Sequence, residues 1–262
     1  MTEDNQHNLW FSTERNLVQY HMPSQVFTEI IPFDDSASYP GNKVLIDVDT
    51  LNNTIWLLQP ALCIFSYNYV TKKFKRFNLP GNATRKMIFL NSNAVLDAHG
   101  NIWMGSTDGL YGYDIKKNVW KQYYQGYELF RLCKDAFGKI WLLNENNLYC
   151  FDPATLWLKV LKNHKSKSNT YISLAADQRG FVWVGTLNGI LYYASSLDDE
   201  INWGANINAL ASSQNILELR CLYVDRDNLL WIGTEGGGVI QVNLEPGNFH
   251  IFPNPDDPGN LK

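Results

Sequence analysis

The sequence predicts an all-β fold, a β-propeller of four-stranded antiparallel blades, from three observations. A tryptophan recurs at Trp10, Trp56, Trp103, Trp141, Trp183 and Trp231, at intervals of 46, 47, 38, 42 and 48 residues. An aspartate keeps register with it, six positions earlier in five copies (Asp4, Asp97, Asp135, Asp177, Asp225) and seven earlier in the second (Asp49). Aromatic residues make up 14% of the 262-residue chain, a content that favours strands. A period of roughly 40–45 residues with an aromatic at a fixed place is the signature of a propeller blade.

Each element of the unit has a local reason. The residues before the aspartate are mostly apolar, as in NAVL at 93–96 and ISLA at 172–175, and form strand A. A D-x-x-G turn follows, in which the carboxylate accepts from backbone N–H groups two residues on and glycine takes the left-handed position. Strand B carries the tryptophan in an apolar run, and a small residue two places beyond it (Gly105, Gly185, Gly233) permits close approach of a neighbour. A T-x-x-G loop leads to strand C, GLYGYD at 109–114 or NLYCFD at 147–152. Strand D alternates, as in FKRF at 74–77, VWKQYY at 119–124, WLKVL at 157–161 and FHIF at 249–252. Two apolar faces per sheet demand stacking on neighbouring blades, with the tryptophan filling the layer between them.

Six repeats result, with blades expected at about 1–33, 34–80, 81–126, 127–165, 166–208 and 209–262. The first copy opens at Asp4, so it is expected to lack strand A and leave 23 strands, and the last runs into PNPDDPGNLK after strand D. The expectation is a partial propeller, a segment of a longer ring, with a six-bladed ring lacking one inner strand as the alternative.

Composition narrows the function classes. With 22 Lys+Arg against 26 Asp+Glu the net charge is -4, which supplies no field for a phosphate backbone, so nucleic-acid binding is not expected. The basic KKFKR at 72–76 reads as the solvated face of an edge strand. No apolar run reaches the ~20 residues that span a bilayer, and the N-terminal MTEDNQHN has no signal-peptide pattern, so direct membrane insertion is not expected. Cys63, Cys133, Cys150 and Cys221 have neither C-x-x-C spacing nor a nearby histidine and read as buried free thiols.

The phrase D-x-x-G-x-h-W-h-G-T-x-x-G-L-h-x-h-D, in which h is apolar, resembles the two-component-regulator propeller repeat. It is close in DAHGNIWMGSTDGLYGYD at 97–114 and in the copies at 177–194 and 225–243, and degraded in the first two, where NLWFSTERNLVQY and TIWLLQPALCIF lack the glycines. FHIFPNPDDPGNLK at 249–262 is similar to the family's inter-blade phrase. The resemblance implies the periplasmic sensor region of Bacteroidetes hybrid histidine kinases, in which propellers precede a membrane helix and a kinase, and the sensing of glycan breakdown products. Gly-His and Trp-Asp pairs of WD repeats are absent, and a kelch-type glycine doublet occurs only within Gly236–Gly238.

No catalytic constellation emerges from the residues. His7 and His99 fall in A–B turns, while His21, His164 and His250 fall in or beside strand D and its connections, away from the axis. One carboxylate per turn is too few for a calcium shell, so the aspartates read as turn caps and no metal or cofactor is expected. Glycine-rich TEGGGV at 234–239 precedes a strand, which leaves no helix N-terminus to hold phosphate. Ligand contacts are expected at the B–C and D–A loops and the first residues of strand A. The D–A connections 32–43, 78–92, 162–170 and 194–215 with the adjoining strand starts place Tyr39, Arg85, Tyr171 and Trp203 there, and Tyr127, Arg131 and Arg220 near the starts of their A strands. Aromatic rings beside arginine suit a sugar, particularly an acidic one. The favoured reading is a non-catalytic sensor segment that binds an oligosaccharide or other small ligand and packs on a neighbouring propeller domain or a second copy. The alternatives are a propeller lyase or glycosidase-like enzyme and a pure interaction scaffold.

Overall fold

The structure, a computed structural model, describes residues 2–13, 16–30, 44–59, 63–78, 94–126, 128–162, 170–210, 217–235, 237–244 and 249–252. The chain forms six four-stranded antiparallel blades, all-β as expected, and divides into a unit of residues 1–128 and a unit of residues 129–262, each with three blades.

In the first unit, blade one comprises β1 (Thr2–Glu3), β2 (Asn8–Ser12), β3 (Leu17–His21) and β4 (Val26–Ile30). Blade two comprises β5 (Val44–Asp49), β6 (Thr54–Gln59), β7 (Cys63–Asn68) and β8 (Lys73–Asn78). Blade three comprises β9 (Ala94–Leu96), β10 (Asn101–Ser106), β11 (Gly109–Asp114) and β12 (Val119–Gln125). In the second unit, blade four comprises β13 (Arg131–Lys134), β14 (Ile140–Leu143), β15 (Leu148–Asp152) and β16 (Trp157–Leu161). Blade five comprises β17 (Tyr171–Ala176), β18 (Phe181–Thr186), β19 (Ile190–Ser195) and β20 (Asn202–Asn206), followed by the single turn α1 (Ile207–Leu210). Blade six comprises β21 (Glu218–Val224), β22 (Leu229–Glu235), β23 (Val239–Asn243) and β24 (Phe249–Phe252). Consecutive strands pair within every blade, so KKFKR does lie on an edge strand, β8.

Two expectations are corrected. Blade one does have a strand A, because Thr2 and Glu3 pair with Trp10 and Leu9, which raises the strand number to 24. Residues 194–215 are not one connection: 194–195 finish strand C, 202–206 form strand D, and the link to blade six begins only at Ile207.

The turn chemistry is stronger than the expected capping. In five blades one carboxylate oxygen accepts two backbone N–H groups, from positions +2 and +4: Gln6 and Asn8 on Asp4 at 2.8 and 3.0 Å, Phe137 and Lys139 on Asp135 at 2.9 Å each. The other oxygen accepts the tryptophan indole N–H, at 2.8 Å for Trp10 to Asp4, Trp103 to Asp97 and Trp141 to Asp135, 3.3 Å for Trp183 to Asp177 and 2.7 Å for Trp231 to Asp225. Blade two departs. Its Asp49 sits one residue further back and caps the backbone and side chain of Asn52, and Trp56 Nε1 is buried without a partner among the described residues.

A left-handed residue lies three places before the tryptophan in all six blades: His7, Asn53, Gly100, Gly138, Gly180 and Asn228, with φ between 53° and 87°. Glycine takes this conformation without steric cost, and asparagine tolerates it. The extra residue of blade two is therefore absorbed between the aspartate and this position, leaving the tryptophan in register and the carboxylate out of it.

Packing between blades obeys one rule. Within each unit, the tryptophan side of a blade meets the two residues that flank the tryptophan in the blade that follows it: Trp10 with Ile55 and Leu57, and Trp56 with Ile102 and Met104, in the first unit. In the second unit Trp141 meets Val182 and Val184, and Trp183 meets Leu230 and Ile232. Close approach is written into Gly185, where a Cβ would lie 2.8 Å from Leu219 Cβ of the next blade, and Ser173 Oγ donates to Leu219 O at 2.5 Å beside it.

The blade-two exception sets up a direct comparison. Trp103→Phe removes a hydrogen bond to a buried carboxylate and Trp56→Phe removes none, so the first should cost about 2 kcal/mol more than the second; denaturant midpoints of the two variants check this. Acid provides a second test. Burial raises the Asp4 carboxyl, but hydrogen bonds from Asn8, Trp10 and Gln6 outweigh it and hold the group below the usual 3.8; Asp225 is lowered in the same way by Trp231, Leu229 and Asp227. A depressed carboxyl contributes stability that is complete above its unfolded value and is lost as pH falls through its folded one. The melting temperature should therefore hold above about pH 5 and fall below about pH 4, and Asp4→Asn should lower the plateau and flatten part of the acid limb in a pH series of melting curves.

Candidate functional site

Strand order places the B–C loops and the starts of the A strands at one end of each unit. In the first unit the described part of that end is a closed polar network in blade three. Asp108 Oδ1 accepts from Tyr111 OH and from Gln122 Nε2, both at 2.9 Å, and Ser106 Oγ caps the loop by accepting from Gly109 N at 3.1 Å. Burial first, then the hydrogen bond to Asp108, pushes the Tyr111 phenol above its usual range. Tyr111, Gln122 and Ser106 all converge on the Asp108–Gly109 turn, which makes the network a brace for the loop. Sequence reasoning missed it, although S-T-D-G with tyrosine two residues on was there to be read.

The second unit gathers charge at the same end. Arg131, the first residue of β13, donates from Nε to Ile172 O of the adjacent inner strand at 3.2 Å. Arg220, in β21, donates from Nε to Glu235 Oε2 at 2.6 Å and pairs through Nη2 with both Glu235 and Glu218. Glu145, exposed on the blade-four B–C loop, accepts from Tyr171 N through its backbone oxygen at 3.0 Å. One guanidinium, that of Arg220, thus stands between two carboxylates, Glu218 and Glu235. Exposed pairs of this kind add ~0–1 kcal/mol each to stability, so their value lies in presenting fixed donors and acceptors at a rim.

The sequence-based site residues divide accordingly. Tyr39, Arg85 and Tyr127 lie outside the described residues. Arg131 and Arg220 do stand near the starts of their A strands. Tyr171 does not form a platform there: it is 2% exposed, packed edge-on against Tyr192 at 6.0 Å in the layer between blades four and five, with no partner for its hydroxyl among the described residues and burial raising its pKa. Trp203 is 51% exposed but belongs to the outer strand β20, opposite Tyr192, because 194–201 are spent on finishing strand C and the C–D turn. Of the three arginines expected beside the aromatic rings, Arg220 is compensated by two carboxylates.

The histidines do not converge among the described residues. His7 sits in the A–B turn beside Glu3 Oε1 at 3.2 Å, and His21 ends strand C beside Ser24 Oγ at 2.6 Å. His164 lies outside the described residues. Among the described residues no group of three His, Cys, Asp or Glu could hold a metal ion, and no helix is long and apolar enough to cross a membrane. Of the cysteines, Cys63 and Cys150 are buried, and burial pushes the Cys150 thiol up to about 12; Cys221 is exposed, contrary to the expectation of a buried thiol.

Residues 211–236 match the family model described as two component regulator propeller. No curated protein sequence matches the chain. Among solved structures, the extracellular domain of one hybrid two-component system of B. thetaiotaomicron superposes with a TM-score of 0.71 at 16% identity, over 99% of this chain and 33% of that one. A second such domain from the same organism gives 0.68 at 20% identity, over 99% and 35%. A virginiamycin B lyase from Staphylococcus aureus gives 0.74 at 9% identity, over 96% and 82%. At these identities the likenesses establish the fold, and the chain spans about a third of the length of the two-component structures. Residues 211–236 are thus similar to the two component regulator propeller repeat, and the whole chain has the β-propeller fold seen in the extracellular domains of hybrid two-component systems.

Proposed function

We propose that this chain is a non-catalytic, extracytoplasmic ligand-sensing propeller segment of a hybrid two-component sensor histidine kinase, with an oligosaccharide as ligand. The observation that carries the reading is the two-component regulator propeller match at 211–236, which runs into the charged rim of Glu218, Arg220 and Glu235. A guanidinium fixed between carboxylates offers donors and acceptors side by side, the pattern that vicinal hydroxyls of a neutral sugar satisfy without burying an unpaired charge. Loops held on a rigid scaffold are the usual place for such recognition. The lyase-like fold supports an enzymatic reading, and the same experiment separates the two.

A binder raises the melting temperature by mass action and leaves its ligand intact, with ~2.7 kcal/mol of stabilisation at ~100-fold excess over Kd. Melting curves with a panel of neutral and acidic oligosaccharides, paired with chromatography of the sugars after incubation, should show stabilisation by a neutral member without consumption. Arg220→Gln should reduce that shift while leaving the ligand-free melting temperature within a few degrees, about what a surface substitution allows. Consumption of a sugar would move the assignment to a lyase or hydrolase; no shift with any member would remove the oligosaccharide.

A further inference from the structure

The inner strand that carries the charged rim is irregular at one residue. Along β21, Glu218 lies opposite Glu235, Leu219 opposite Thr234 and Cys221 opposite Gly233, so Arg220 is an extra residue with no counterpart in the ladder. A bulge of this kind bends its strand and re-aims the side chain it carries. The approach of Arg220 to Glu218 and Glu235 therefore depends on where the bulge is held.

Blade five holds it at two points. Ser173 Oγ, buried in β17, donates to the carbonyl of Leu219, the residue just before the bulge and itself buried. Asn208, in α1, accepts from Leu217 N through Oδ1 at 2.7 Å and donates from Nδ2 to Asn188 O on the blade-five B–C loop at 2.9 Å. Gly185 keeps the first contact open, since a Cβ there would lie 2.3 Å from Ser173 Oγ and 3.1 Å from Leu219 O. The same arrangement occurs one blade earlier. Ile172 is the extra residue of β17, between Tyr171 opposite Thr186 and Ser173 opposite Gly185, and its carbonyl accepts from Arg131 Nε of blade four. In β13, by contrast, the register runs unbroken. Both inner-strand bulges of the second unit are thus gripped by a side chain from the inner strand of the preceding blade.

We propose that Ser173 and Asn208 are positioning residues for the rim, fixing from blade five the bulge that aims Arg220 between Glu218 and Glu235. Among the described residues neither side chain bonds to those three side chains, so both act through the backbone of β21. The Leu219 carbonyl lies out of water, and a buried acceptor deprived of its donor is costly; without the Ser173 hydroxyl the strand must shift to find another, and the shift falls on the next residue, Arg220. That the rim meets a sugar rests on the sensor reading above, whereas the way the bulge is held does not.

The guanidinium Nε–H reports the aim of Arg220 with no ligand present. In proton–nitrogen spectra of the full chain the Arg220 signal is the one missing from Arg220→Gln. The signal missing from Arg179→Gln belongs to a guanidinium held by Asp177 within blade five and shows that this blade is folded. Ser173→Ala should speed the exchange of the Arg220 Nε–H with water roughly tenfold and leave that of Arg179 unchanged, and Gly185→Ala, which displaces the hydroxyl, should reproduce the effect. Asn208→Ala loosens the second point, should act in the same direction, and decides alone should Ser173→Ala not fold. An unchanged Arg220 signal in a folded variant, or one lost only together with that of Arg179, overturns the assignment. With a sugar found by the melting curves, the same variants should raise its Kd about tenfold; if no sugar binds, the sensor reading falls and the exchange rates still decide how the rim is held.

Discussion

A carboxylate that accepts two backbone N–H groups with one oxygen and an indole N–H with the other ties the turn to the core in five of the six blades. The turn alone would be a local motif, and the tryptophan alone a hydrophobic filler that could take more than one rotamer. Joined at 2.7–2.8 Å in four of the blades, they fix the ring plane, and with it the side of the sheet from which the next blade must approach. Hydrogen bonds to charged acceptors contribute about 1.5–3 kcal/mol. The bond is worth having because the carboxylate is itself out of water, at 2–6% exposure for Asp4, Asp97, Asp135 and Asp177. Its remaining lone pairs are satisfied by the turn, which prevents burial from costing more than the bond returns.

Blade two shows which part of the device is indispensable. There the carboxylate has slipped away, yet Trp56 is still buried against Ile102 and Met104, with Phe77 at 5.6 Å beside it. What survives in all six blades is the left-handed residue three places before the tryptophan, which sets the phase of strand B. Packing therefore depends on register first and on the hydrogen bond second, and the bond narrows a geometry that register already permits.

That hierarchy explains what was legible in the sequence. Tryptophan, aspartate and glycine at fixed spacing are residues whose side chains or backbone angles act within a few positions, so strands B, C and D and the A–B turns could be placed by inspection. The indole bond was missed, although the constant six-residue offset from aspartate to tryptophan was its trace. The two-residue strand before Asp4 was missed because so short an edge has no periodicity to read. The site was poorly legible for a different reason. Tyr171 and Trp203 were assigned to a mouth from the length of connections, but whether an aromatic at a strand start faces a channel or the layer between blades depends on a one-residue choice of register. Arg131 and Arg220 were placed because strand A was, whereas the compensation of Arg220 by Glu235 links residues fifteen apart on paired strands, and no local pattern announces it.

The inner strands make the rim and the blade layers mechanically one system. Arg131 Nε reaches Ile172 O across the boundary of blades four and five, and Ser173 Oγ reaches Leu219 O across that of five and six. Glu218 and Arg220, on either side of Leu219, belong to the charged rim, so a ligand that orders them also orders the strand on which blade six hangs. The opposite side of that blade carries Trp231 and Tyr223. Any ligand at the rim with different affinities for two arrangements of β21 must shift how blade six seats on blade five, and by reciprocity that seating must shift ligand affinity by the same factor.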